Sequence, residues 1–251
     1  MFKIVILGPL ASGKSMLANA MVDCSAAIEY RISSELALVN RMIFGANDCF
    51  KIYPTKDAAE HGLGALTIEK NDQSNFFRNV WTGILGYTNK DIAYVQTEYP
   101  CKLLNIGVEI ADLPCPTTDN QLLIYDFLME ADLVVCCINF NHFSNEYFGL
   151  LEQIQTSVLF AITHFDYYRL EKEMSNNYLN EIRKDISIQL RALYSKYDDS
   201  MLFLLDTFLY IQGVKDNNME LIDRSRFLYL KAEIYRQVAR AYFDRQFKNL
   251  R

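Results

Sequence analysis

The chain opens on an apolar run, Phe2, Ile4, Val5, Ile6 and Leu7, which has the length of a buried strand and meets a glycine at once. Residues 14–23 then place Leu17, Ala18 and Met21 on one face, the spacing of an amphipathic helix. Further along, G-V-E-I-A-D-L-P from Gly107 alternates until it stops at Asp112, beside the turn-forming Pro114. Residues 132–139, 157–163 and 201–205 are continuous apolar runs, the pattern required of parallel strands covered on both faces. Helical spacing separates them over 121–129 and 177–196. Strands alternating with helices predict an α/β fold, a doubly wound and mainly parallel sheet with helices on both faces. Right-handed crossovers bring the carboxyl ends of such strands to one edge, where ligands bind.

The remaining segments are less regular. Residues 28–43 are mixed, helical in spacing over 35–42, and lead into a turn at Gly45, Asn47 and Asp48. Residues 54–66 are polar and broken by Gly62 and Gly64, a flexible loop, and Leu66 to Glu69 follow as a short strand. An aromatic-rich segment at 76–84 carries Trp81, and 91–104 reads as edge or loop because Pro100 interrupts it. From 225 to 251, Phe227, Leu230, Ile234, Val238, Ala241 and Phe247 recur at helical spacing and predict one long helix, packed on the sheet or leading out of it. No repeat or low-complexity linker divides the chain, so residues 1–251 are expected to form a single domain.

Composition narrows the partners. A formal net charge of −6, with no cluster of Lys and Arg, argues against nucleic acid. No run of about eighteen uncharged apolar residues is present, and a strand starting at residue 2 leaves no room for a signal peptide, so the expectation is a cytoplasmic protein. The six cysteines, Cys24, Cys49, Cys101, Cys115, Cys136 and Cys137, form no C-x-x-C pair and read as buried, reduced thiols. His61, His142 and His164 are too dispersed for a metal site.

The chemistry concentrates at Gly8 to Ser15, which spells G-x-x-x-x-G-K-S between the first strand and the first helix. Gly8 and Gly13 allow backbone angles that a side chain forbids, so successive N–H groups and the helix N-terminus can face a polyphosphate. Lys14 adds a positive charge for the β and γ phosphates, and the Ser15 hydroxyl suits the magnesium ion that bridges them. Asp112, at a strand end, has the form of the carboxylate that meets the same ion through water.

This order, phosphate loop, polar loop, strand with Asp112-Leu113-Pro114, apolar strand, then Thr163-His164-Phe165-Asp166, resembles that of a GTPase. Gly107 to Asn120, the run Glu130-Ala131-Asp132-Leu133-Val134-Val135, and the gap of 98 residues from Lys14 to Asp112 resemble the GTPase domain of the dynamin superfamily, bacterial dynamin-like proteins in particular. The resemblance implies GTP or GDP with Mg2+ and a P-loop NTPase fold. It implies nucleotide contacts at Gly8, Ala11, Ser12, Gly13, Lys14, Ser15 and Met16, base contacts at Thr163, His164 and Asp166, and metal contacts at Ser15 and Asp112. Ser12 and Lys14 take the catalytic positions. It implies residues 54–66 as the first switch loop. It further implies a head-to-head homodimer, or a partner GTPase or stalk-bearing protein, with indirect, peripheral association with a membrane.

The departures are specific. Cys115 stands where the family has glycine, His164 stands where the base motif has lysine, and neither Thr55 nor Thr67 falls where a magnesium-shell threonine is expected. They favour an alternative reading, a nucleotide-binding scaffold with little hydrolysis that regulates a partner. A small-molecule or nucleoside kinase would need lid arginines, and Arg169, Arg183 and Arg191 do not cluster.

Overall fold

A computed structural model describes residues 1–23, 38–46, 49–69, 89–140, 147–164 and 176–248, and the statements below concern these. The elements in chain order are β1 Phe2–Leu7, α1 Lys14–Met21, β2 Asn40–Phe44, β3 Cys49–Pro54, α2 Lys56–Glu60, β4 Leu66–Glu69, β5 Ile92–Tyr99 and α3 Lys102–Asn105. They continue with β6 Val108–Asp112, α4 Gln121–Glu130, β7 Leu133–Asn139, α5 Phe148–Glu152, β8 Ser157–Thr163 and α6 Asn176–Leu193. β9 Leu202–Leu204, α7 Thr207–Lys215, α8 Met219–Arg224 and α9 Phe227–Lys248 complete the chain.

The strands form one sheet in the order β4-β3-β5-β2-β6-β1-β7-β8-β9. From β6 to β9 every pairing is parallel, as the unbroken apolar runs require. Side chains alternate across this half of the sheet. Ile4 and Ile6 of β1 join Leu17, Met21, Leu103, Phe227, Leu230, Ile234 and Val238 in one buried cluster. Val5 and Leu7 join Ile124, Leu128, Phe148, Leu151, Ile186 and Leu190 in the other. α1 and α9 therefore cover one face, and α4, α5 and α6 cover the opposite one. Each fully buried aliphatic side chain contributes about 1.5–3 kcal/mol by leaving water, which is why the central strands tolerate almost no polar residue.

The other half is mixed. β2 runs antiparallel to β6 and parallel to β5, while β3 is antiparallel to both β4 and β5. Glu109 is an acid inside the apolar β6, only 2% exposed, and Arg41 of β2 compensates it. Arg41 Nε and Nη2 donate to the two carboxylate oxygens at 2.6 and 2.9 Å, and the guanidinium lies 4.9 Å from the centre of the Tyr94 ring.

Of the helical spacing at 35–42, residues 35–37 lie outside the described residues, while 38–39 are irregular and 40–44 are β2. Arg41 is held by its pair in the middle of the sheet, a tertiary contact that local periodicity does not show. The 91–104 segment contains the eight-residue β5, an inner strand, with Pro100 just past its end. The polar stretch 54–66 is not all loop, because Thr55 Oγ1 accepts from Ala58 N at 3.2 Å and caps α2. The aromatic segment at 76–84, with Trp81, lies outside the described residues. Of the cysteines, Cys136 and Cys137 are buried as expected, Cys49, Cys101 and Cys115 are only half-buried, and Cys24 lies outside the described residues.

Candidate nucleotide site

The loop between β1 and α1 sits at the carboxyl end of the parallel strands, flanked by β6 on one side and β7 on the other. Its curvature depends on particular residues. A Cβ on Gly8 would lie 2.2 Å from the Cys137 carbonyl oxygen, so only glycine lets β1 turn this close to β7. Gly13 has φ +81° and Ala11 φ +57°, both left-handed, and Gly13 directly precedes the first turn of α1. The first N–H groups of a helix have no partner within it, so α1 presents a set of donors at the loop.

Lys14 is buried, with its Nζ folded over the loop to donate to Pro9 O at 2.8 Å. Ser15 Oγ donates to Asp112 Oδ2 at 2.6 Å. The register explains that meeting: Ile6 of β1 pairs with Asp112 of β6, so the carboxylate arrives at the strand end just as the chain turns into the loop. A hydroxyl and a carboxylate side by side are hard oxygen donors of the kind magnesium takes, and both stand beside the lysine expected to meet phosphate. The residues therefore fit the ion.

Behind the loop, Cys137 Sγ and Thr163 Oγ1 both donate to Ser12 O, at 2.9 and 2.5 Å, and Asn139 Nδ2 donates to Ala11 O at 3.0 Å. Burial pushes the Cys137 thiol up to about 12, against smaller opposing effects of Lys14 and its hydrogen bonds, so it stays protonated and can donate. Ser12 has no exposed surface, and its Oγ has no hydrogen-bond partner among the described residues. Met16 is half-buried in the first turn of α1. After β6, Asn120 closes the segment around Cys115: its Nδ2 donates to Cys115 O at 3.0 Å and its Oδ1 accepts from Thr117 N at 2.8 Å.

Of the residues expected to read the base, Thr163 and His164 arrive at the loop. His164 has φ +56°, and its Nε2 is 3.4 Å from where a Gly13 Cβ would stand. Asp166 lies outside the described residues. Thr55 and Thr67 are not brought to the site. Thr55 caps α2 beyond β3, and Thr67 is on the edge strand β4, four places from β6, or about 19 Å at the usual strand spacing. The strand that does stand beside Asp112 is β2, where Asn40 pairs with Asp112 across the ladder and its side chain accepts from Thr97 Oγ1 at 2.8 Å. Asn40, Cys137 and Asn139 were not among the candidates. For Asn139 the signal was a polar residue closing an apolar strand; for Asn40 the helical spacing concealed it.

A solved structure of an oligomerised bacterial dynamin pair, described as a mechanism for long-range sensing and tethering of membranes, aligns with 99% of this chain at a TM-score of 0.59 and 15% identity. The chain has the α/β P-loop fold of that structure. A second structure of such a pair aligns over the same 99% at a TM-score of 0.56 and 14% identity. This chain spans about half the length of each of those chains, 50% in both. No protein-family model and no curated protein sequence matches. Among the described residues, no helix is long and apolar enough to cross a membrane.

Proposed function

We propose that the protein binds GTP and GDP at the loop from Gly8 to Met16 and hydrolyses the γ-phosphate of GTP by in-line attack of water. The observation that carries this reading is the convergence of Lys14, Ser15 and Asp112 at one strand edge, with Ser15 and Asp112 in contact at 2.6 Å. Phosphate oxygens would replace Pro9 O as acceptors for Lys14, and the amides of Gly13, Lys14, Ser15 and Met16 would complete the cradle. Ser15 and Asp112 would hold Mg2+, which when bound neutralises charge on the β and γ phosphates. Ser12, being fully buried, would act through its main chain, shaping the loop rather than touching water. His164 would border the base, and Asp166 would accept from the guanine N–H groups.

The likeness to a dynamin pair supports a dimer across the nucleotide, either with a second copy or with a related partner, and peripheral membrane association through that assembly. A second reading, a binding scaffold that hydrolyses little and regulates a partner, is favoured by the distance of Thr55 and Thr67 from Asp112 and by His164 in the lysine position.

Steady-state GTP turnover distinguishes the two. The enzyme reading expects Mg2+-dependent turnover that exceeds that of Lys14→Ala and rises per molecule as protein concentration rises. Tight GTP binding with turnover equal to the Lys14→Ala background supports the scaffold, and phosphate transfer to an added acceptor contradicts both. If Asp166 reads guanine, Asp166→Asn shifts preference from GTP towards xanthosine triphosphate.

A further inference from the structure

Three side chains at the ends of β7 and β8 hold two consecutive peptide groups of the loop from behind. The Ala11–Ser12 peptide is fixed on both sides: Asn139 donates to its carbonyl at 3.0 Å, and its N–H donates to Pro9 O at 3.3 Å. Among the described residues the Ser12–Gly13 peptide is fixed only through its carbonyl, which accepts from Cys137 and Thr163. A trans peptide points its N–H opposite its C=O, so these two donors turn the Gly13 N–H away from β7 and β8. It then stands in line with the amides that open α1. A peptide that precedes glycine flips at low cost, because glycine tolerates either sign of φ. Flipped, it would aim the Ser12 carbonyl, a partial negative charge, at the phosphate.

Thr163 alone does not secure this orientation. Its single hydroxyl proton lies within reach of both Ser12 O at 2.5 Å and Ile138 O at 3.1 Å. When the proton serves Ile138, only the thiol holds Ser12 O. We propose that Cys137 is a positioning residue for phosphate binding, locking the Ser12–Gly13 peptide with its N–H presented to the nucleotide. This rests on the nucleotide-binding reading above. Burial keeps the thiol protonated across the physiological range, so the donor is always present.

The test compares Cys137→Val, which fills the space without a donor, with Cys137→Ser, which keeps one; Cys137→Ala repeats the first should valine prevent folding. Three quantities are measured in the full chain: the dissociation constant for GDP, NMR relaxation dispersion at the Gly13 amide without ligand, and the thermal unfolding midpoint. The expected result is GDP binding about fivefold weaker in Cys137→Val, the size of one lost neutral hydrogen bond, with dispersion appearing at Gly13. Cys137→Ser stays within about twofold of wild type in both, even where the unfolding midpoints of the two variants are alike. Equal weakening in the serine and valine variants, tracking the unfolding midpoint, would show that the thiol only packs. Unchanged GDP affinity in Cys137→Val overturns the proposal while leaving nucleotide binding intact, whereas wild-type protein that binds no GDP removes the nucleotide reading and this role with it.

Discussion

At Gly8, one missing methyl decides whether the loop exists. Gly8→Ala would place a carbon 2.2 Å from the Cys137 carbonyl and 2.8 Å from Ser12 Oγ, and neither can withdraw, since the first is backbone in a central strand and the second is fully buried. The expected cost is about 3 kcal/mol in urea unfolding, at the upper end for overpacking, together with loss of nucleotide binding. Lys14→Ala is the complementary change: it removes a charge and one hydrogen bond to Pro9 O, so stability should fall by only about 1 kcal/mol while GTP affinity falls about 10- to 100-fold by isothermal titration. This scale was the most legible in the sequence. Gly8, Gly13, Lys14 and Ser15 are local chemistry at fixed spacing, and Asp112 announced itself by ending a strand. Cys137 was not legible and Asn139 showed only as a polar residue closing an apolar strand, because their contacts with the loop reach across more than 120 residues.

Among the elements, the parallel half of the sheet was readable because strands buried on both faces leave continuous apolar runs, and 157–163 matches β8 to the residue. β2, β3 and β5 were not, since they belong to the mixed half of the sheet and are stabilised by pairing and by cross-strand contacts such as Arg41 with Glu109 and Tyr53 stacked on Tyr94. Arg41→Met should therefore destabilise the protein by about 3 kcal/mol, because it strands a buried carboxylate, and Glu109→Leu added to it should recover most of the loss in urea unfolding. A second cross-strand pair predicts a pH dependence. The Lys51 ammonium donating to Glu98 holds that carboxyl below the ordinary 4.5. Its stabilisation is then complete above pH 4.5 and disappears as pH falls through the lowered value. Wild type and Lys51→Met should differ by under about 1 kcal/mol near neutrality, both groups being partly exposed, and converge in acid when unfolding is followed against pH.

For the whole molecule, α9 ties the last segment of the chain to the first. Phe227, Leu230, Ile234 and Val238 share a cluster with Ile4, Ile6 and Leu17, and Lys231 donates to both carboxylate oxygens of Asp23, just past α1, at 2.6 Å. Tyr210 of α7 donates to the same carboxylate at 2.6 Å. Ile234→Ala should cost about 3 kcal/mol in thermal or urea unfolding, a cavity at the helix-to-sheet contact, without altering the loop itself. The helix was legible from its spacing; its attachment to the end of α1 was not, since Lys231 and Asp23 are 208 residues apart. The central claim, that this edge of the sheet is a guanine-nucleotide site, is tested most directly by titrating the wild type and Lys14→Ala with GTP and ATP side by side in Mg2+. The account predicts GTP bound in preference to ATP by wild type and greatly weakened by Lys14→Ala. Equal affinity for GTP and ATP, or GTP binding unaffected by Lys14→Ala, would contradict it.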